Sequence, residues 1–314
     1  MSLTTGSGCD QPVPAVRAPF PVTSPYRVVP APRPLRGEPH VVLDGAWPAA
    51  LARRLERLRH DLPGVVVHEP GGPRPGLDDA LRRAWSLLPG TDHLGVTVDL
   101  DTCTATRTRP LQGPAGQAQE LLLGLGGTEL LVVGWLLACS DDLVVLRRTG
   151  EQSLAAELLA VCFPSGWPVR ERAGAALHEL HGPVADGDRL RRAGPALSQA
   201  LLTQGPFVQH VWGLNPSGRL DRDPTAPDRE APSCPAPERW WLRVERQTTL
   251  PLGDRALFLI RPYLTPLTAL TGEQRDVLRA AVASMSPESL AYKGITEVAD
   301  RLLAWLQRSA ETPG

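Results

Sequence analysis

Between Trp240 and Thr249 the chain reads Trp-Trp-Leu-Arg-Val-Glu-Arg-Gln-Thr-Thr. A strand there puts Trp241, Arg243, Glu245 and Gln247 on one face and Leu242, Val244 and Arg246 on the other. The polar face is either solvated, with Arg243 and Glu245 paired in view of water, or the wall of a pocket. In a pocket, Glu245 is the group to hold or deprotonate an amine, and Arg243 beside it keeps the carboxylate ionised. Arg261 and Tyr263 on the next strand would extend that wall.

Three other stretches carry chemistry. Leu177-His-Glu-Leu-His181 sets two imidazoles about one helical turn apart, but only Leu180 separates Glu179 from His181, so the H-E-x-x-H zinc arrangement is absent. His181 keeps two readings: an imidazole at the negative end of a helix dipole, or an axial haem ligand with one nitrogen facing an apolar cavity. Ala175, Ala176 and Leu180 are small or apolar neighbours for a flat ring. Cys162-Phe-Pro-Ser-Gly-Trp167 interrupts a buried strand with Pro164 and Gly166, a sharp corner that aims the helix after it. Tyr292-Lys-Gly-Ile295 holds the only lysine beside 32 arginines; Lys293 would bind a carbonyl or carboxylate at a helix start, or else meet a propionate or a partner.

Composition bounds the molecule that carries these groups. The chain has 314 residues, 42% of them hydrophobic, enough for a real core. With 33 basic against 34 acidic residues it has no electrostatic footprint for nucleic acid or an anionic membrane. Five scattered cysteines without a C-x-x-C pair fit neither a disulfide framework nor a zinc site, and the start lacks the pattern of a secretory signal, so a cytoplasmic protein is expected. The apolar run Leu121–Cys139 is interrupted by Glu129 and a glycine cluster, and is expected to form a helix, a turn and a buried strand rather than a membrane span.

The elements follow from periodicity. A proline-rich arm over residues 1–40 lies extended, and residues 41–314 form one domain. Helices are expected at Trp47–His60, Leu77–Leu88, Val169–His181, Gly187–Thr203, Gly272–Ser284 and Glu297–Ser309. Strands are expected at His93–Thr102, Leu130–Ala138, Leu143–Arg148, Glu157–Phe163 and Phe207–Leu214, with a hairpin of Trp240–Leu250 and Ala256–Tyr263 across Gly253-Asp254. Residues 215–237 form a long polar loop, either a lid or disordered. The pattern is α+β with a mainly antiparallel sheet flanked by helices.

Four segments in this order resemble the haem-dependent oxidative N-demethylase family: Cys162–Trp167, His181-Gly-Pro-Val184, Arg243-Val-Glu-Arg-Gln-Thr248 and Tyr292–Ile295. The match is good over about residues 155–305 and loose before residue 150. The resemblance implies a PAS-like sheet, haem b with its iron, and oxidation of a small amine by O2 with loss of a methyl group as formaldehyde. Electrons would come from a separate reductase, since the chain has neither G-x-G-x-x-G nor ferredoxin cysteine spacing.

By position His181 is the metal ligand and Glu245 the substrate carboxylate tuned by Arg243, with Trp167, His210 and Lys293 also expected around the cofactor. Where the family shows Arg-x-Asn-Trp, this chain has Gln209-His-Val-Trp212. His210 would then be a second axial ligand, as in a non-catalytic haem sensor of PAS-like form, or the changed pocket would serve a different substrate, such as a biosynthetic intermediate. A binding protein that keeps the fold without haem is the third possibility.

Overall fold

A computed structural model describes residues 18–28, 32–151, 153–180, 192, 194–226, 229 and 234–308. Its centre is a seven-stranded antiparallel sheet. The strands are β1 (Arg33–Pro34), β2 (Val66–His68), β5 (Asp142–Gly150), β6 (Ser153–Ala160), β7 (Phe207–Asn215), β8 (Trp241–Leu252) and β9 (Arg255–Pro266), ordered β1-β7-β8-β9-β5-β6-β2. A separate ribbon pairs β3 (Val96–Asp99) with β4 (Thr104–Arg107), so the single strand expected over 93–102 is instead a short 3-10 turn and a hairpin. The hairpin β8–β9 turns at Gly253-Asp254, where Gly253 has the positive φ of 72° that a two-residue turn requires.

Alternation divides the sheet into two faces. One carries Leu143, Val145, Leu158, Ala160, Leu257 and Leu259, packed on helices α1 (Trp47–Val65), α2 (Leu77–Trp85), α3 (Gly113–Leu123) and α4 (Gly127–Ala138). Towards β7, the same face buries Leu242, Val244 and Tyr263 against α7 (Gly272–Ala283), α9 (Ala299–Arg308) and the residues between them, which include α8 (Pro287–Tyr292). The other face carries Val144, Leu159, Ile260 and Phe258, covered by α5 (Leu177–Leu180) and α6 (Gly194–Thr203).

Two expected elements are corrected. Leu130–Ala138 is not a strand but the body of α4, in which every residue is buried. A helix enclosed on all sides has the same unbroken apolar sequence as a buried strand, so periodicity does not separate them. The continuous helix over Val169–His181 is also absent. Arg170–Arg172 form one 3-10 turn, Ala173 is extended, and Gly174 takes φ 80°. Gly174 N–H donates to Ala156 O, and Ala156 N–H donates to Ala175 O, so the segment runs beside β6 before α5 begins. Residues 181–191 and 193 lie outside the described residues, and with them the start of the helix expected at Gly187.

The arm is tied to the sheet. β1 pairs with the start of β7, Leu35 N–H donates to Pro206 O, and Arg246 donates to the carbonyls of Pro39 and His40. No helix among the described residues is long and apolar enough to cross a membrane.

Candidate functional site

The register of β7, β8 and β9 sets Val211, Glu245 and Pro262 in one row and Gln209, Gln247 and Ile260 in the next, all on the face covered by α5 and α6. Glu245 is held at both oxygens: Arg243 Nε donates to Oε1 at 3.1 Å, and Gln247 Nε2 donates to Oε2 at 3.2 Å. Gln209 Nε2 in turn donates to Gln247 Oε1 at 2.8 Å, which fixes the orientation of that amide. The carboxylate is therefore presented by a chain of donors lying in the sheet surface.

Arg243 is the anchor of this wall. It is 1% exposed, and its guanidinium also donates to Leu220 O at 2.6 Å and to Phe163 O. Those two bonds join the sheet to the loop after β7 and to the Cys162–Trp167 corner. The corner itself is shaped by Asp142, whose carboxylate accepts from Cys162 N–H at 3.0 Å and Phe163 N–H at 3.1 Å, and pairs with Arg54 at 2.9 Å. Arg54 and Asp142 are both wholly buried, so removing either leaves an uncompensated charge in the interior. Burial pushes the Cys162 thiol up to about 12, making it a packed side chain and not a nucleophile.

The loop over 215–237 is pinned where it is described. Arg57 pairs with Asp221 at 2.9 Å and approaches Asp223 at 3.6 Å, Arg222 N–H donates to Pro164 O, and the Trp241 ring lies under Gly218, 2.9 Å from where a Cβ would sit. Residues 215–226 of this loop are thus tied to α1, to the Cys162–Trp167 corner and to the Trp241 ring.

The structure brings some of the expected residues together and separates others. Trp167, like Leu180, packs against the buried cluster on this face that includes Leu177. His181 lies outside the described residues, as does the side chain of His178. His210 stands opposite Arg246 on the other face, in the field of Arg246, Arg33 and Glu38, where burial and then Arg246 lower its pKa. It does not share a face with Glu245, because neighbouring residues of a strand point to opposite sides.

Arg261 and Tyr263 likewise face away: Arg261 binds Asp44 at 2.8 Å, so these two do not extend the Glu245 wall. Lys293 donates to Trp212 O at 2.6 Å, the backbone carbonyl role, though from a helix end and not a start.

Two residues not expected in the site lie beside it. Val211, opposite Glu245, is 39% exposed, and Tyr292 is 46% exposed; they are the only large hydrophobic side chains exposed among the described residues. Glu245 and Arg172 are the charges acting on the Tyr292 phenol. Tyr292 could have been found from its place beside Lys293; Val211 and Arg172 carried no signal, since each joins the site only through folding.

These features define an antiparallel-sheet protein with a donor-fixed carboxylate beside an apolar covered floor. Residues 129–303 match the family described as haem-dependent oxidative N-demethylase, alpha subunit-like, and the chain belongs to that family. No curated protein of significant similarity is found. Membership brings haem dependence and an oxidative demethylase-like activity as the family's description.

The residues present fit a large flat apolar group on this face. Trp167, Leu180, Leu197, Phe207 and Phe258 are only partly buried there, and Thr249, between Phe207 and Phe258, has a buried hydroxyl with no hydrogen-bond partner among the described residues.

Proposed function

We propose that this chain is a haem-dependent monooxygenase that oxidatively demethylates a small amine, drawing electrons from a separate reductase. His181 would hold the iron, and Trp167 with the apolar side chains around Phe258 would seat the ring. Bound haem supplies the activation of oxygen; the protein supplies orientation and electrostatics.

The observation that carries this reading is Glu245, a carboxylate bonded at both oxygens and set beside Val211 and Tyr292, the only large hydrophobic side chains exposed among the described residues. A small alkylamine is an ammonium ion at neutral pH, as a lysine side chain is. Glu245 pairs with that ammonium, while Val211 and Tyr292 meet its alkyl groups. Arg243 and Gln247 keep the carboxylate from turning away, so the amine nitrogen is delivered to one place. Before oxidation the nitrogen must give up a proton, and Glu245 is the base positioned to take it.

Two variants test the assignment. Glu245→Gln should retain haem but bind dimethylamine about 10- to 100-fold more weakly, as expected for losing a charge-assisted bond. His181→Ala should be purified without haem. Undiminished amine affinity in the first, read from the change in the Soret band, or stoichiometric haem in the second, would refute the corresponding role.

A further inference from the structure

The arm and the only lysine meet at the outer edge of β7. β1 pairs with β7 only at Arg33↔Val208 and Pro34↔Phe207, and among the described residues no strand continues along Gln209–Asn215. Lys293, at the end of α8, reaches this edge and donates to Trp212 O at 2.6 Å. Its ammonium lies 4.9 Å from the centre of the Trp212 ring and 5.2 Å from that of Tyr26. The two rings meet edge to face at 5.8 Å and 83°, forming two sides of a cage. Tyr26 is itself placed by its N–H, which donates to Ser284 Oγ at 2.8 Å at the end of α7.

A cation enclosed in this way is compensated by the ring faces and one carbonyl, which replace only part of its hydration. Burial brings the Lys293 pKa down to about 8, and the charge of Glu245 works against that fall. The Tyr292 phenol, next in sequence, is also in the field of Glu245.

We propose that Lys293 is a positioning residue coupled to Glu245: the Tyr26–Trp212 cage holds its ammonium at the sheet edge, where its charge meets that of Glu245 and it keeps Tyr292 at the rim. The proline-rich arm is thereby a working part of the site. The coupling rests on where Lys293 is held, at the carbonyl of Trp212, one residue from Val211, which is paired with Glu245 across β7 and β8; its service to amine oxidation rests on the function proposed above. The charged and titratable groups at this corner are Arg243 on β8, Lys293 and Tyr292 from α8, and Arg172 from the turn before α5.

Having one lysine makes the test direct. Lysine labelled with 13C at Cε gives one resonance, to be titrated in the full-length haem-loaded protein in its diamagnetic ferrous carbon monoxide form. The expected midpoint is about 8. Glu245→Gln should lower it by about one unit, a shift typical of losing a nearby opposite charge. Tyr26→Phe, which keeps the ring, should leave it in place. An ordinary lysine midpoint in the parent, or no response to Glu245→Gln, overturns the proposal. Dimethylamine should lower the midpoint when Glu245 is present. If it has no effect while Glu245→Gln still does, the coupling stands and only the assignment of Glu245 to the amine fails.

Discussion

Asp141 sits immediately before β5, wholly buried, and neither of its carboxylate oxygens has a hydrogen-bond partner among the described residues. Burial pushes its pKa up to about 7, against the opposing pull of Arg261, Arg246 and Arg54. From about pH 4 to about pH 7 the folded chain therefore keeps a proton that the unfolded chain has released. The stability this contributes is complete at the acid end and lost as the pH rises through 7.

Asp141→Asn should flatten this decline and make the protein more resistant to urea at pH 8 than the parent, with little difference near pH 4. Equal urea midpoints for parent and variant at pH 8 would show that Asp141 is solvated or paired. Residues of this kind were not legible in the sequence. Arg243 and Glu245 were, because a strand places every second residue on one face. Nothing in the local sequence marks Arg54, Asp141 and Asp142 as buried; the fold alone encloses them.

At the scale of elements, the segment between β6 and α5 decides where the helix leading to His181 begins. Gly174 holds φ 80°, and a Cβ there would lie 2.8 Å from Pro70 Cδ. Gly174→Ala combines a left-handed conformation with a steric conflict and should cost about 1–3 kcal/mol. It should also loosen haem retention, because α5 would shift on the sheet. A denaturation midpoint and a haem-to-protein ratio both matching the parent would show that this turn does not set the position of α5.

Local patterns were sufficient for β5, β7 and the β8–β9 hairpin, where apolar alternation and a Gly-Asp turn agree. They were insufficient for α4, whose burial on every side erases its periodicity, and for Val169–His181. There the helical spacing of apolar residues was genuine, but pairing with Ala156 prevailed over a glycine-interrupted helix.

Across the whole molecule the sheet is a partition. One side holds the large core formed with α1–α4 and with α7 and α9; the other holds the Glu245 wall under α5 and α6. His210 belongs to the first side. Its replacement by Ala should therefore leave the oxidised and carbon monoxide spectra unchanged; loss of a six-coordinate signature would contradict that placement.

The sequence by itself determined the α+β class, the long hairpin, the alternation that groups Arg243 with Glu245, and the family to which the chain belongs. These rest on near-neighbour rules and short motifs. Only the tertiary structure decided which side of the sheet each polar residue meets, that Arg243 joins three segments, and that the arm reaches Lys293. Such contacts join residues far apart in the chain, and their partners are chosen by strand order and packing, which no local spacing encodes.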